Sequence, residues 1–82
     1  MLPKIITAKA CSNFVLEVAF DDRTIKHFSF VPYLNYPVFK ALQVQSFFET
    51  VAVKYGTVVW GENDEIDFDP YTIYLEGHTL QY

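Results

Sequence analysis

Residues 14–30 read FVLEVAFDDRTIKHFSF, and this stretch decides the fold. Apolar side chains recur at every second position from Phe14 to Phe20, a period that predicts a β-strand with one face in the core. The polar residues 21–23 interrupt the pattern in the way that the turn of a β-hairpin does. A partner strand is expected over residues 24–30, so the sequence predicts an antiparallel hairpin.

The register of this hairpin depends on the length of its turn, because a shift of one residue exchanges the two faces of a strand. A two-residue turn places Ile25, His27 and Ser29 on the core face. A three-residue turn places Phe28 and Phe30 there instead. We favour the three-residue turn, since burying two phenylalanines removes more apolar area from water than burying a histidine and a serine.

Elements are also expected on both sides of the hairpin. A short first strand is predicted over residues 5–9, which leaves Cys11 in the turn that follows. Pro37 suits the first position of a helix. Ser46 and Glu49 have the spacing of a capping box, which predicts a short helical turn that begins at the serine.

The last third of the chain predicts a second hairpin and a helix. Residues 51–55 alternate as a strand does, Gly56 suits a turn, and residues 57–60 form the next apolar run. Asp69-Pro70 has an N-cap acid followed by proline at the first helical position, and Gly77 suits a left-handed C-terminal cap.

These patterns define the fold class. The 82 residues are enough for one domain and too few for two. We predict a single α+β domain over residues 1–82, with a small antiparallel sheet and the element order βββ-α-ββ-short α.

Charge and cysteine content restrict the partners and the compartment. Ten acidic residues against six dispersed basic ones give a net charge of −4, so direct binding to nucleic acid is not expected. Cys11 is the only cysteine, which suits a reducing compartment. No apolar run approaches the ~20 residues that cross a bilayer, and the first residues do not resemble a signal peptide. We expect a cytoplasmic protein without a membrane partner.

Acidic residues are densest towards the end of the chain. A calcium loop begun at Glu65 would need glycine at its sixth position, where Pro70 stands. We favour a structural interpretation in which Ile66 and Phe68 point inward and Asp69 caps a helix, although a bound cation remains the alternative. The acids concerned are Glu62, Asp64, Glu65, Asp67 and Asp69.

The residues able to do chemistry show no motif. His27 and His78 lack the spacing of a zinc site, and we expect His78 to be an exposed tail residue. Cys11 has no neighbouring feature that would activate a thiolate. The sequence predicts a protein that is not an enzyme and needs no cofactor.

The aromatic residues are the remaining candidates for function. Most rings are expected in the core, and tyrosines left at the surface suit a protein interface, where Tyr is enriched. The candidate interaction residues are Tyr33, Tyr36, Tyr71 and Tyr74.

Several segments together resemble the small bacterial domain of unknown function called DUF2442. The resemblance implies an α+β domain of the bacterial cytoplasm, at times joined to a helix-turn-helix module or found in small gene pairs of toxin–antitoxin type. In this family glycine usually stands where the present chain has Arg23. The segments are Phe20-Asp21-Asp22, Val38-Phe39-Lys40-Ala41-Leu42, Phe48-Glu49-Thr50-Val51, Gly56-Thr57-Val58-Val59-Trp60 and Ile66-Asp67-Phe68-Asp69-Pro70-Tyr71-Thr72-Ile73-Tyr74.

The sequence and the resemblance lead to one principal hypothesis. The protein is expected to be a non-catalytic interaction or regulatory module with a protein partner, such as the neutralising member of a gene pair. The free edges of its sheet also predict a homodimer. The alternatives are an accessory component of a transcriptional regulator that acts with a DNA-binding partner, and a protein that binds a metal or small ligand.

Overall fold

A computed structural model describes residues 3–79. The predicted domain over residues 1–82 extends beyond this range at both ends. The chain is an α+β fold, as predicted. Its strands are β1 (Ile5–Cys11), β2 (Val15–Phe20), β3 (Ile25–Ser29), β4 (Ala52–Lys54), β5 (Thr57–Trp60), β6 (Ile66–Phe68) and β7 (His78–Thr79), and its α-helices are α1 (Gln45–Phe48) and α2 (Pro70–Glu76).

The strands form two antiparallel sheets rather than one. The first has the order β1-β2-β3-β7 and the second the order β4-β5-β6. The core side chains of both sheets, with those of the connecting segments, form one hydrophobic cluster. Two strands are absent from the predicted element order: β6, which precedes α2, and β7, which follows it.

The hairpin of β2 and β3 has the three-residue turn that the burial argument favoured. The amide of Phe20 donates to the carbonyl of Thr24 at 2.9 Å, and Leu16 lies opposite Phe28. Phe28 and Phe30 are buried, which confirms the predicted register. Arg23 completes the turn with a φ of 72°, in the left-handed region.

Phe30 lies at the centre of the aromatic core. Its ring centroid is 4.7 Å from that of Phe68 and 5.4 Å from that of Trp60. The indole nitrogen of Trp60 donates to the carbonyl of Phe48 at 2.9 Å. The only polar atom of this fully buried ring system therefore has a partner, which a buried donor requires.

The connection between β3 and β4 differs from the prediction. Residues Pro37–Gln43 form a 3₁₀-helix, a tighter form that proteins use in short pieces. Its two side chains that contact the core, half-buried Phe39 and buried Leu42, are three residues apart, the spacing of one 3₁₀ turn. The capping box at Ser46 was also wrong, because α1 has already begun at Gln45 and Val44 is its N-cap.

Two further local predictions were wrong. Cys11 is the last residue of β1 and not part of the turn, which is formed by Ser12–Phe14, with Asn13 and Phe14 in the left-handed region. His78 is exposed, as expected, but it belongs to β7 rather than to an unpaired tail. Strand β7 contains only two residues, which is too short for a period of two to be visible.

Helix α2 begins as predicted and ends differently. The Asp69 carboxylate accepts a hydrogen bond from the amide of Tyr71 at 3.1 Å, which makes it the expected N-cap. Gly77 ends the helix with φ −70° and ψ 160°, an extended conformation and not the predicted left-handed one. Glycine is needed there for space, because a Cβ atom would lie 2.6 Å from the carbonyl oxygen of Ile73.

Candidate functional site

The most varied set of polar and aromatic side chains surrounds a cleft beside the end of β3. Its volume is about 230 Å³. Phe28 and Pro32 supply apolar surface, and the other side chains add two imidazoles, two hydroxyls and one carboxylate. The lining residues are His27, Phe28, Ser29, Pro32, Tyr33, Glu76 and His78.

Tyr33 and Glu76 join two sides of this cleft. The Tyr33 hydroxyl donates to Oε1 of Glu76 at 2.9 Å, across 43 positions of sequence. This hydrogen bond, with a smaller contribution from burial, raises the pKa of Tyr33. The ring itself is fixed by contacts with Phe28 at 5.6 Å and Phe68 at 5.1 Å. The Tyr33 side chain therefore has a fixed position in the lining of the cleft.

A row of titratable side chains crosses the outer face of the first sheet. The strand register places Lys9 opposite Glu17, Glu17 opposite His27, and His27 opposite His78. Nε2 of His27 lies 3.0 Å from Oε1 of Glu17. The row ends at the cleft, where both histidines contribute to the lining.

The four predicted interaction tyrosines occupy different surroundings. Tyr33 and Tyr36 meet edge to face at 5.9 Å, and Tyr36 is about half exposed, at 53%. Tyr71 is exposed on α2 at 37%. Only Tyr33 lines the cleft. The prediction thus found one residue of the cleft and one neighbour of it.

Tyr74 has a separate structural role at the turn of the first hairpin. Its hydroxyl donates to Oδ2 of Asp22 at 2.6 Å, and its ring packs edge to face on Phe20 at 5.0 Å. This hydrogen bond is the largest influence on both groups, since it lowers the pKa of Asp22 and raises that of Tyr74. The ring also lies 5.3 Å from the ammonium group of Lys26.

Three of the five acidic residues of the segment 62–69 have hydrogen-bond partners within the protein, namely Asp64, Glu65 and Asp69. Ile66 and Phe68 are buried while Asp67 is exposed, as predicted. Asp64 pairs with the ammonium group of Lys54 at 3.0 Å. Within residues 3–79, no three His, Cys, Asp or Glu side chains are grouped as a metal site would require.

A second cleft, of about 300 Å³, lies against the other sheet and is lined by Phe47, Thr50, Gly61 and Glu62. It contains one carboxylate and one aromatic ring. The first cleft combines more kinds of side chain, contributed by β3, β7, α2 and the 3₁₀ turn Val31–Tyr33.

Sequence reasoning missed most of the residues around the first cleft. His27 and His78 lie far apart in sequence, and only the pairing of β7 with β3 brings them together. Glu76 and Glu17 carried no local signal, because each lies in a segment whose pattern indicated a regular element and nothing more.

The comparisons with known proteins give the family and no function. Residues 5–79 match the family described as "Protein of unknown function (DUF2442)", and the chain belongs to it. No curated protein and no solved structure matches this chain significantly. None of the helices described between residues 3 and 79 has the length and apolar character that a membrane crossing requires.

Proposed function

We propose that this DUF2442 protein is a non-catalytic interaction module that binds a basic partner protein at the cleft of Tyr33 and Glu76. A regulatory or neutralising role in a small bacterial gene pair, in the cytoplasm, is the specific form of the proposal. The observation that carries it is the cleft itself, where an anchored aromatic ring and a carboxylate stand beside apolar surface.

The position of Glu76 supports a role in binding. It is the last residue of α2, where the partial negative charge of the helix end disfavours a carboxylate. The helix dipole therefore gives no reason for an acid there, and within the protein the carboxylate accepts the hydrogen bond of Tyr33. A lysine or arginine of a partner would meet this carboxylate and could stack on the adjoining ring of Tyr33.

The surroundings of the cleft suit a protein partner more than a small ligand. Val31 and Leu75, which adjoin Pro32 and Glu76 in sequence, are exposed at 53% and 66%. Exposed apolar side chains on the two segments that form the cleft are compatible with a protein interaction surface. The net charge of −4 favours a basic partner through long-range attraction.

Self-association is a second part of the proposal. β1 and β7 are the outer strands of the four-stranded sheet, and an outer strand can pair with another chain. Light scattering coupled to size-exclusion chromatography tests this directly. A dimer mass is expected, and a monomer mass at all accessible concentrations would contradict it.

Capture from the native host tests the partner. The tagged chain is recovered from lysate with and without nuclease treatment, and bound protein is identified by mass spectrometry. A stoichiometric basic protein that survives nuclease treatment is the expected result. Nucleic acid alone, or no bound macromolecule, would contradict the proposal and favour a DNA-linked role or a small ligand.

A further inference from the structure

We propose that His27 and His78 form a two-histidine site for a divalent transition-metal ion on the outer face of the four-stranded sheet. The two residues lie directly opposite one another on the antiparallel strands β3 and β7, and both line the same cleft. Directly opposed residues on a sheet have Cβ atoms about 4.5–5.5 Å apart, on the same face. Two imidazoles at that spacing can reach one ion at the usual metal–nitrogen distance of about 2.0–2.1 Å.

Glu17 provides the support that histidine ligands usually have. Its Oε1 atom lies 3.0 Å from Nε2 of His27. When this nitrogen carries the proton and donates it to the carboxylate, Nδ1 of His27 holds the lone pair that a metal needs. A carboxylate behind a ligating histidine fixes the tautomer and makes the ligand more basic.

The number of ligands determines which metals fit. Since residues 3–79 contain no cluster of three His, Cys, Asp or Glu side chains, the protein supplies two imidazoles and water completes the coordination shell. Imidazole suits Zn²⁺, Ni²⁺ and Cu²⁺, and the affinity for a given site rises towards Cu²⁺. Hard cations such as Mg²⁺ and Ca²⁺ prefer oxygen ligands and are not expected to bind.

Metal binding would stabilise the pairing of β7 with β3. β7 pairs with β3 through only two residue pairs, Lys26 with Thr79 and His27 with His78. An ion held by both histidines binds only the paired arrangement and so raises its population. This inference does not depend on the proposed partner.

The test is a calorimetric titration of the untagged chain with CuCl₂, NiCl₂ and ZnCl₂, with MgCl₂ as a negative control. We expect one ion per chain and a melting temperature that rises with metal concentration. His78→Ala and His27→Ala should each weaken binding at least tenfold. Glu17→Gln should weaken it about 10–100-fold, as is usual for the loss of such a supporting carboxylate.

Two matched variants separate the imidazoles from other causes. Glu62→Gln removes a carboxylate at the second cleft, remote from both histidines, and Cys11→Ser removes the one thiol of the chain. Both should bind metal like the original protein. Absence of binding, retained affinity in His78→Ala, or an equal loss in Glu62→Gln would each overturn the proposal, with Trp60 fluorescence confirming that each variant is folded.

Discussion

Replacement of Gly77 tests why α2 ends where it does. The backbone at this residue is extended, with φ −70° and ψ 160°, and alanine adopts this conformation without strain. Space is the obstacle, because an added Cβ would lie 2.6 Å from the carbonyl oxygen of Ile73 and 3.1 Å from Cβ of Lys26. The Ile73 carbonyl also accepts the Gly77 amide at 2.9 Å, and that bond ends the helix. Either α2 or β3 must move when alanine is introduced.

The expected loss is that of an overpacked site, about 1–3 kcal/mol of unfolding free energy for Gly77→Ala. For a domain of this size each kcal/mol lowers the melting temperature by roughly 4–8 °C. Urea denaturation followed by the fluorescence of Trp60, the only tryptophan, measures the loss.

Gly77→Asn is the matched variant that distinguishes crowding from a left-handed cap. Asparagine tolerates the left-handed conformation much better than alanine does, so at a left-handed cap it would restore most of the stability. Crowding by the backbone affects both residues, and we expect Asn to be no better than Ala. Full stability of Gly77→Ala, or recovery in Gly77→Asn, would refute the reasoning.

Three further changes have expected outcomes. Arg23→Gly should raise unfolding free energy by about 0.5–1 kcal/mol in urea denaturation, because Arg23 has a φ of 72° and glycine adopts that conformation without strain. Trp60→Phe should lower unfolding free energy by about 1–3 kcal/mol, since it removes the 2.9 Å hydrogen bond from the indole to the carbonyl of Phe48 and leaves unfilled space in the core; an unchanged urea midpoint, followed by circular dichroism because the only tryptophan is gone, would contradict this. The lowered pKa of Asp22 stabilises the fold above its unfolded value of about 3.9, and this stability is lost as pH falls through the folded pKa. Tyr74→Phe should therefore reduce the pH dependence of thermal unfolding below pH ~4, and an unaltered profile would contradict the role of the hydroxyl.

The sequence was sufficient for the elements that a burial pattern specifies. The alternation around Leu16 and Val18 predicted β2, and the area argument for Phe28 and Phe30 predicted the register, because only one register buries both rings. Asp69 likewise signalled the start of α2 by a local hydrogen bond that needs no tertiary information.

Elements that depend on tertiary contacts could not be predicted. β7 exists because it lies beside β3, and a two-residue strand has no pattern of its own. Gly77, at the extended end of α2, lies close to Lys26 of β3, a neighbour that the local sequence does not reveal. The candidate site also depends on tertiary contacts, since the Tyr33 hydroxyl donates to Glu76, a residue 43 positions away in sequence.

Charge reversal at the cleft tests the proposed function most directly. Glu76→Lys places a cation at the C-terminal end of α2, which the helix dipole favours, and removes the acceptor of the Tyr33 hydroxyl; the two effects oppose each other, so the variant should remain folded. Glu62→Lys makes the same change at the second cleft and serves as the control. Both variants are used in quantitative capture of the partner from the native host.

We expect Glu76→Lys to lose the partner while the variant remains folded, and Glu62→Lys to recover the partner in the original amount. Undiminished capture by a folded Glu76→Lys variant, or a loss confined to Glu62→Lys, would contradict the assignment of the partner to the cleft of Tyr33 and Glu76.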